Sequence, residues 1–320
     1  MFHFDRGLKL TAIDLAIDFR RRQPRGFISH AHADHMAPHE LAYCTAVTSK
    51  LYRHRLGPHR QCVEMQFGRP IDWGETRLSV HPAGHVFGSA MLLAETRGQR
   101  MLYTGDFKLG PSATAETCVL PRADTLVMES TWGDPRFRLP AREYVVAELL
   151  ERVNKAFALN RTPVIHAYVL GKAQEVTKIL TSAGVPVLQH PLTYAVSCIY
   201  QENGCDLGDF KLYPGRPLPG HAVVMPPRQQ KGHHMGGLTR TTTLAVTGWA
   251  VDERGRQRWG VDHVIPLSDH ADFDQLLQAI DLVDPEIVYC THGPATFVNH
   301  VRAHGRRAVV LGEKEQLTLF

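Results

Sequence analysis

The chain has 320 residues, of which 43% are hydrophobic and 21% charged, enough to bury the core of one large domain or two closely packed ones. Its formal net charge of +4 is too small for a nucleic-acid packaging protein but suits a phosphate-rich partner. Six scattered cysteines without a CxxC pair, and no run approaching the ~18 apolar residues of a membrane span, exclude a zinc ribbon, a disulfide framework and a membrane protein. The amino terminus lacks the apolar core of a signal peptide, so we expect a cytoplasmic protein.

In chain order, the predicted elements change character twice. Residues 1–135 contain short apolar runs with period-two alternation between polar turns, which predicts a strand-rich segment. Residues 136–251 alternate helical periodicity with apolar strands, as is typical of a parallel βα layer. Residues 252–320 repeat the order strand, histidine-bearing strand end and helix. The pattern predicts an α/β protein.

The most informative motif is HAHADH, which directly follows an apolar strand. In an extended chain His30 and His32 point the same way, and Asp34 and His35 follow after the chain bends. Imidazoles and carboxylates are metal ligands, so one short loop can serve two ions. A histidine-rich surface loop is the alternative, since the chain contains 19 histidines.

Further ligand-type residues stand where apolar strands end, namely His85, Asp106 and His292. Each alone could be structural. Two metal ions with open positions for water and substrate need about four protein ligands or fewer each. We therefore predict a first ion held by His30, His32 and His85, a second held by Asp34, His35 and His292, and Asp106 as the bridge between them. Zinc and manganese are the candidate divalent ions for this mixed nitrogen and oxygen set.

The order HAHADH, GH, GD, EST, SDHAD and THG resembles the metallo-β-lactamase fold, and specifically its β-CASP nuclease branch, over nearly the whole chain. The resemblance implies an αββα core formed by residues 1–135 and 252–320, with a small α/β cap inserted at 136–251. It also makes Glu129 and His270 the acid and the histidine of two further motifs, catalytic together with Asp34. An imidazole beside a carboxylate is held charged and oriented, which suits protonation of a leaving oxygen. The alternative for His270 is a structural role at the start of a helix.

A carboxylate outside the ligand set is predicted to orient one of the ligand histidines. Asp18 resembles the first motif acid of the family and is the preferred residue. Asp14, four positions earlier, competes for the same role.

Phosphate contacts are predicted at two basic segments. Gly171 and Lys172 open a helix, where amide donors and the lysine charge suit a phosphate, although an ordinary helix start explains them equally well. Arg228 and Lys231 belong to the basic loop PPRQQKGHH. Such residues neutralise backbone phosphates and make binding salt-dependent.

Within the β-CASP branch, the compact length, the GKAQE segment and the ESTWG form resemble bacterial ligase-associated DNA exonucleases. The resemblance implies a DNA exonuclease of DNA repair that processes single-stranded DNA or DNA ends, in functional association with a DNA ligase and a helicase. An RNA-processing nuclease with the same chemistry is the first alternative. A small-molecule metallohydrolase of the same fold and a non-catalytic nucleic-acid-binding scaffold are the others.

Overall fold

The computed structural model describes residues 1–4, 6–227, 236–252, 257 and 259–311. No helix in these ranges is both long and apolar enough to span a membrane. Contacts divide the chain into two compact units. The core unit contains residues 1–111, 115–135 and those from His270 onward, and the inserted unit contains residues 112–114 and 136–269.

The elements of the described residues are numbered here in chain order. The strands are β1 (Phe2–Phe4), β2 (Leu8–Leu10), β3 (Leu15–Ile17), β4 (Arg25–Phe27), β5 (Leu41–Cys44), β6 (Cys62–Glu64), β7 (Ile71–Trp73), β8 (Thr76–Pro82), β9 (Ala90–Thr96), β10 (Gln99–Tyr103), β11 (Thr125–Glu129), β12 (Thr162–His166), β13 (Val187–Gln189), β14 (Phe210–Leu212), β15 (Ala222–Met225), β16 (Thr241–Val246), β17 (His263–Ile265), β18 (Ile287–Thr291) and β19 (Arg307–Val310). The helices are α1 (Ala46–Leu56), α2 (Arg142–Ala158), α3 (Lys172–Ser182), α4 (Pro191–Glu202), α5 (Phe273–Val283) and α6 (Phe297–Ala303), with a 3₁₀ turn at Gly248–Val251.

Two mixed sheets face each other in the core unit, with strand orders β1-β2-β3-β4-β5-β6 and β19-β18-β11-β10-β9-β8-β7. Leu15 and Phe27 of the first sheet and Leu92 and Val127 of the second form a shared apolar core. The other face of the seven-stranded sheet packs against α5 and α6, for example through Phe273. Helix α1 packs beside β6. The layers therefore run αββα, as predicted.

Parallel pairing in both sheets brings several strand ends together in the core unit. Strand β4 pairs in parallel with β3 and β5, and β11 pairs in parallel with β10 and β18. Parallel neighbours end at the same edge of a sheet, where ligand groups collect. Most of the predicted ligands, together with Glu129, stand at the ends of β4, β10, β11 and β18. His85 follows β8, and His270 follows β17 in sequence.

The inserted unit contains a parallel sheet with strand order β14-β13-β15-β12-β16-β17. Ile165, Val224 and Leu244 of the sheet pack with Leu149 of α2 and Val176 of α3. Strand β15 is buried throughout, as expected for a parallel strand covered on both faces.

The carboxyl boundary of the inserted unit depends on one strand pairing. The sequence alone predicted a return to the core at residue 252. Strand β17 pairs in parallel with β16, so residues 263–265 lie in the sheet of the inserted unit, which extends to Asp269. A three-residue strand gives no local signal of the sheet that it joins, because the strand it pairs with, β16, is distant in sequence.

Candidate metal centre

The HAHADH loop begins where β4 ends, and its backbone is held by hydrogen bonds. Ile28 is fully buried, and the His35 amide donates to the His32 carbonyl at 3.1 Å to close a turn. Arg55 donates to the Ala31 carbonyl at 2.7 Å, and a second arginine side chain, from Arg20, reaches the carbonyl of Asp34 at 3.0 Å. One arginine before the motif and one after it therefore stabilise the loop.

A first cluster of potential metal-ligating atoms, all within 4.8 Å of one another, comes from His30, His32, His85 and Asp106. His30 Nε2 and His85 Nε2 lie 2.9 and 3.1 Å from His32 Nδ1. Burial lowers the pKa of His30 well below its ordinary value, and the neighbouring histidines lower it further. A cation fits this arrangement because it gives several neutral imidazoles and a carboxylate a common partner.

Asp106 reaches its position because the preceding residue is a glycine. Gly105 has φ +56°, and a Cβ there would lie 2.7 Å from the side chain of Ser29. Asp106 Oδ2 lies 3.5 Å from His30 Nε2, 3.3 Å from His35 Nε2 and 3.8 Å from His85 Nε2. One carboxylate thus faces histidines of both predicted ligand groups, the position expected of a bridge.

The second predicted ligand group surrounds His35. Its Nε2 is buried without a hydrogen-bond partner and lies 3.8 Å from the carboxylate of Asp34, which is 55% exposed. The His292 ring stacks on the His35 ring at 5.0 Å and belongs to a residue with φ +55°. Burial by itself lowers the pKa of His35, but Asp106 and Asp18 raise it well above its ordinary value. Partial desolvation and the neighbouring His35 lower the pKa of His292.

Asp18 and Asp14, the two candidate orienting carboxylates, lie in different surroundings. Asp18 Oδ2 accepts hydrogen bonds from Tyr103 Oη and His35 Nδ1, both at 2.8 Å, and its Oδ1 accepts from the Ser29 amide at 2.8 Å. Asp14 is exposed and pairs with Lys9 at 3.4 Å. Only Asp18 of the two contacts a predicted ligand, and it fixes the ring so that Nε2 faces the pocket.

Glu129 and His270 form a hydrogen-bonded pair beside these ligands. His270 Nδ1 lies 2.9 Å from Glu129 Oε2, while Glu129 also accepts hydrogen bonds from the Phe107 amide at 2.8 Å and from the Thr131 hydroxyl. Ligand-type atoms of Asp106, Glu129 and His270 lie within 4.8 Å of one another. The orientation of the imidazole is therefore fixed next to the bridging carboxylate.

Gly171 and Lys172, two of the predicted phosphate contacts, belong to the inserted unit and already have partners there. Lys172 is buried, with Nζ 3.2 Å from Asp269, and the Gly171 amide donates to the Gln174 side chain at 2.8 Å. The lysine charge and the amide that were predicted to bind a phosphate therefore interact with other groups of the protein. Phosphate binding by Gly171 and Lys172 stays a prediction. Arg228 and Lys231 lie outside the described residues.

Sequence reasoning missed three side chains that support the site. Ser29 donates through Oγ to Asp18 and contacts His30, Tyr103 donates to Asp18, and Thr131 donates to Glu129. Ser29 and Thr131 are adjacent to motif residues, which is a usable signal. Tyr103 is 85 residues from Asp18 and has no local signal.

The αββα core and the clustered imidazoles and carboxylates define the class, a metallo-β-lactamase fold. No protein-family model matches the sequence. A crystal structure of a protein of unknown function from Enterococcus faecalis V583 has the same fold, with a TM-score of 0.62 and 16% identity over 90% of this chain and 79% of that chain.

Three curated relatives are more specific. A probable DNA ligase from Opitutus terrae is 35% identical over 99% of this chain and 31% of its own length. The 5′ exonuclease Apollo of Gallus gallus is 27% identical over 87% of this chain and 62% of its own. An RNase J-like protein of Methanocaldococcus jannaschii is 29% identical over 48% of this chain and 42% of its own.

The chain spans less than two thirds of each of these relatives, and about a third of the protein named as a ligase. Together they point to the β-CASP metallo-β-lactamase nucleases as the family of this chain. The resemblance drawn from the motifs is thereby confirmed.

Proposed function

We propose that the chain is a two-metal phosphodiesterase that acts as a DNA exonuclease in DNA repair, trimming single-stranded DNA or DNA ends. The observation that carries this proposal is the His270–Glu129 pair, held at 2.9 Å beside Asp106. Phosphodiester cleavage must neutralise a leaving oxygen, and an oriented imidazole next to a metal pocket meets that need. Opening a lactam or a thioester does not require the pair, so the small-molecule alternative is less favoured.

The ligand set of the proposed centre has two overlapping halves. His30, His32 and His85 would hold one ion, Asp34, His35 and His292 the other, and Asp106 would contact both. Zinc and manganese both suit this set. When bound, such ions supply Lewis acidity to the phosphate and lower the pKa of a water molecule.

The remaining chemistry belongs to side chains of this chain. Glu129 binds Nδ1 of His270, so proton delivery to the leaving oxygen falls to Nε2 of the same ring. Hydrogen bonds from Phe107 and Thr131 keep the Glu129 carboxylate in place during turnover. Asp18 holds His35 in the orientation that metal binding needs.

One relative favours DNA over RNA as the substrate, and a second favours an exonuclease over an endonuclease. One is named a DNA ligase and aligns with nearly all of this chain, and another is named a 5′ exonuclease. The ligase-named relative also supports the proposed association with a DNA ligase; a helicase partner rests on the motif resemblance alone. RNA processing is the second candidate because another relative is named RNase J-like.

The test is digestion of end-labelled single-stranded DNA, with RNA of the same sequence alongside. Metal-stripped protein is resupplied with zinc or manganese, and protein left without metal is the control. We expect stepwise loss of nucleotides from the DNA only when metal is present, and the fragment ladder gives the polarity. Cleavage of RNA alone, or cleavage inside the strand, would favour the RNA-processing function instead.

A further inference from the structure

Exposed aromatic side chains are concentrated at one edge of the inserted unit. Among the described residues, the large hydrophobic side chains that are exposed include three aromatic ones: Tyr144 at 72%, Tyr168 at 43% and Trp249 at 44%. A single exposed aromatic ring needs no explanation. Three exposed rings in one unit need one, because only 8% of the residues in the chain are aromatic.

Topology places all three rings at the carboxyl edge of the parallel sheet. Tyr168 follows β12 and Trp249 follows β16, and these strands are parallel neighbours in register, with His166 opposite Ala245. Tyr144 lies in the first turn of α2, and α2 runs back toward the start of β12. Arg142 of that first turn contacts Glu175 in the first turn of α3 at 2.7 Å, and α3 begins at the same edge.

Buried aromatic rings support two of these side chains. Trp249 meets Phe137 edge to face, with ring centroids 5.7 Å apart, and Tyr168 meets Trp259 at 6.4 Å. Phe137 and Trp259 are 5% and 8% exposed. Rings held in this way lose little conformational freedom when a flat ligand stacks on them, which favours binding.

The charge beside the rings suits a phosphate backbone. The Arg136 guanidinium lies 4.8 Å over the Phe137 ring, and its side chain is 58% exposed and 3.9 Å from Asp252. A base-stacking surface with a cation next to it is the usual arrangement for binding single strands, because every base offers a π face and every link a phosphate. A peptide partner would not need this combination.

We propose that Tyr144, Tyr168 and Trp249 form a stacking surface for the bases of a single-stranded nucleic-acid end, with Arg136 beside its backbone. The inference rests on the proposed function and names how the substrate strand is held. It assigns these residues to strand binding, not to the reacting atoms. Their substitution therefore changes KM and strand affinity, and leaves kcat at saturating substrate and metal content unchanged.

The experiment measures fluorescence anisotropy of a labelled oligothymidylate whose phosphorothioate links slow hydrolysis. The variants are Tyr144→Ala, Tyr168→Ala and Trp249→Ala, with Leu159→Ala as control because Leu159 is 63% exposed at the carboxyl end of α2, the opposite edge of the sheet. Each aromatic substitution is expected to weaken binding roughly 5- to 100-fold, from the typical worth of one stacked base, while the control stays unchanged. Circular dichroism confirms that each variant is folded.

A second probe separates stacking from charge. An oligonucleotide with abasic sites keeps the phosphates but lacks the bases. It is expected to bind the wild type weakly, and to bind the Trp249→Ala variant with the same weak affinity. Trp249→Phe keeps a ring and is expected to bind nearly as the wild type does. Wild-type affinity in all three alanine variants, or equal weakness of the Phe and Ala variants at 249, overturns the stacking surface. A wild-type protein that neither binds nor cuts any nucleic acid overturns the proposed function instead.

Discussion

In the core unit, the ring nitrogens of His30, His32 and His85 lie close to one another and to the carboxylate of Asp106. In the inserted unit, by contrast, the buried ammonium of Lys172 lies 3.2 Å from the carboxylate of Asp269. The second arrangement is balanced by its own opposite charge, and a neighbouring pair of Arg142 with Glu175 is balanced in the same way. The first has several imidazoles around one shared carboxylate, because Asp106 Oδ2 lies within 4 Å of His30, His35 and His85.

The difference teaches how to separate a structural polar cluster from a ligand site. Buried opposite charges satisfy each other, so removing one partner of the pair costs mainly stability. When several buried imidazoles surround one carboxylate, a proton on one ring disfavours protonation of the others. A metal ion stabilises such a group because it binds the neutral rings and the carboxylate together. The five predictions below run from the largest expected effect on activity to the smallest.

Replacing the bridging carboxylate is expected to have the largest effect. Asp106→Ala removes the oxygen that lies 3.3 Å from His35 and 3.5 Å from His30, so both halves of the pocket lose a ligand. We expect loss of bound metal and an activity loss beyond the ~10⁴-fold that a general acid is worth. Metal content by mass spectrometry and DNA digestion test this, with Asp14→Ala as the exposed-carboxylate control. Full metal occupancy in Asp106→Ala would contradict the bridge.

Removal of the proposed proton donor is expected to separate catalysis from metal binding. His270→Ala leaves the first ligand cluster intact, so metal content should stay at the wild-type level while turnover falls about 10²- to 10⁴-fold. Glu129→Gln weakens the orientation of the same ring and should lower turnover in the same direction. If His270→Ala lost metal as fully as Asp106→Ala does, the catalytic role of His270 would have to be abandoned.

The orienting carboxylate is expected to affect metal affinity more modestly. Asp18→Asn keeps the size of the side chain but weakens the hydrogen bond to His35 Nδ1, now 2.8 Å. Such outer partners are worth about 10- to 100-fold in metal affinity. Competition with a fluorescent chelator measures the change, and Asp14→Asn serves as the matched control. Equal affinities in the two variants would remove Asp18 from the site.

Metal affinity in the core unit is expected to depend on pH. Burial alone lowers the pKa of His35, but Asp106 and Asp18 raise it well above its ordinary value in the metal-free protein. A metal ion must displace that proton, so affinity rises with pH up to the His35 pKa, by about tenfold per pH unit for one proton. Chelator competition across a pH series measures the slope. A flat profile would mean that His35 does not bind the ion.

Breaking the balanced pair of the inserted unit is expected to act mainly on stability. Lys172→Met removes the cation 3.2 Å from the Asp269 carboxylate, and loss of one partner of a buried pair costs roughly 3–5 kcal/mol. Urea unfolding at saturating metal measures the loss. Lys178→Met on the same helix breaks an exposed pair with Asp206 and should have no measurable effect. Unchanged stability together with weaker DNA binding would instead favour the phosphate contact predicted from the sequence.

The family resemblance predicted the layered core, and local patterns predicted residues that converge in it. The HAHADH spacing and the placement of His85, Asp106 and His292 after apolar strands are local features, and strand pairing in the two sheets turns them into neighbours. The pairing of Glu129 with His270 came from motif order, since 141 residues separate them. Their catalytic and ligand roles stay predictions that the variants above test.

Other features were decided by tertiary structure, because they depend on partners that no local pattern names. The sequence could not choose between Asp14 and Asp18, since the choice is made by contacts with Tyr103 and His35. From the sequence we predicted that Lys172 binds a phosphate, whereas the fold buries its ammonium beside Asp269. By itself the sequence determined which side chains stand at strand ends, because that follows from short-range periodicity. Which of them meet, and which charges are already balanced, was settled only when distant strands paired and the chain closed around them.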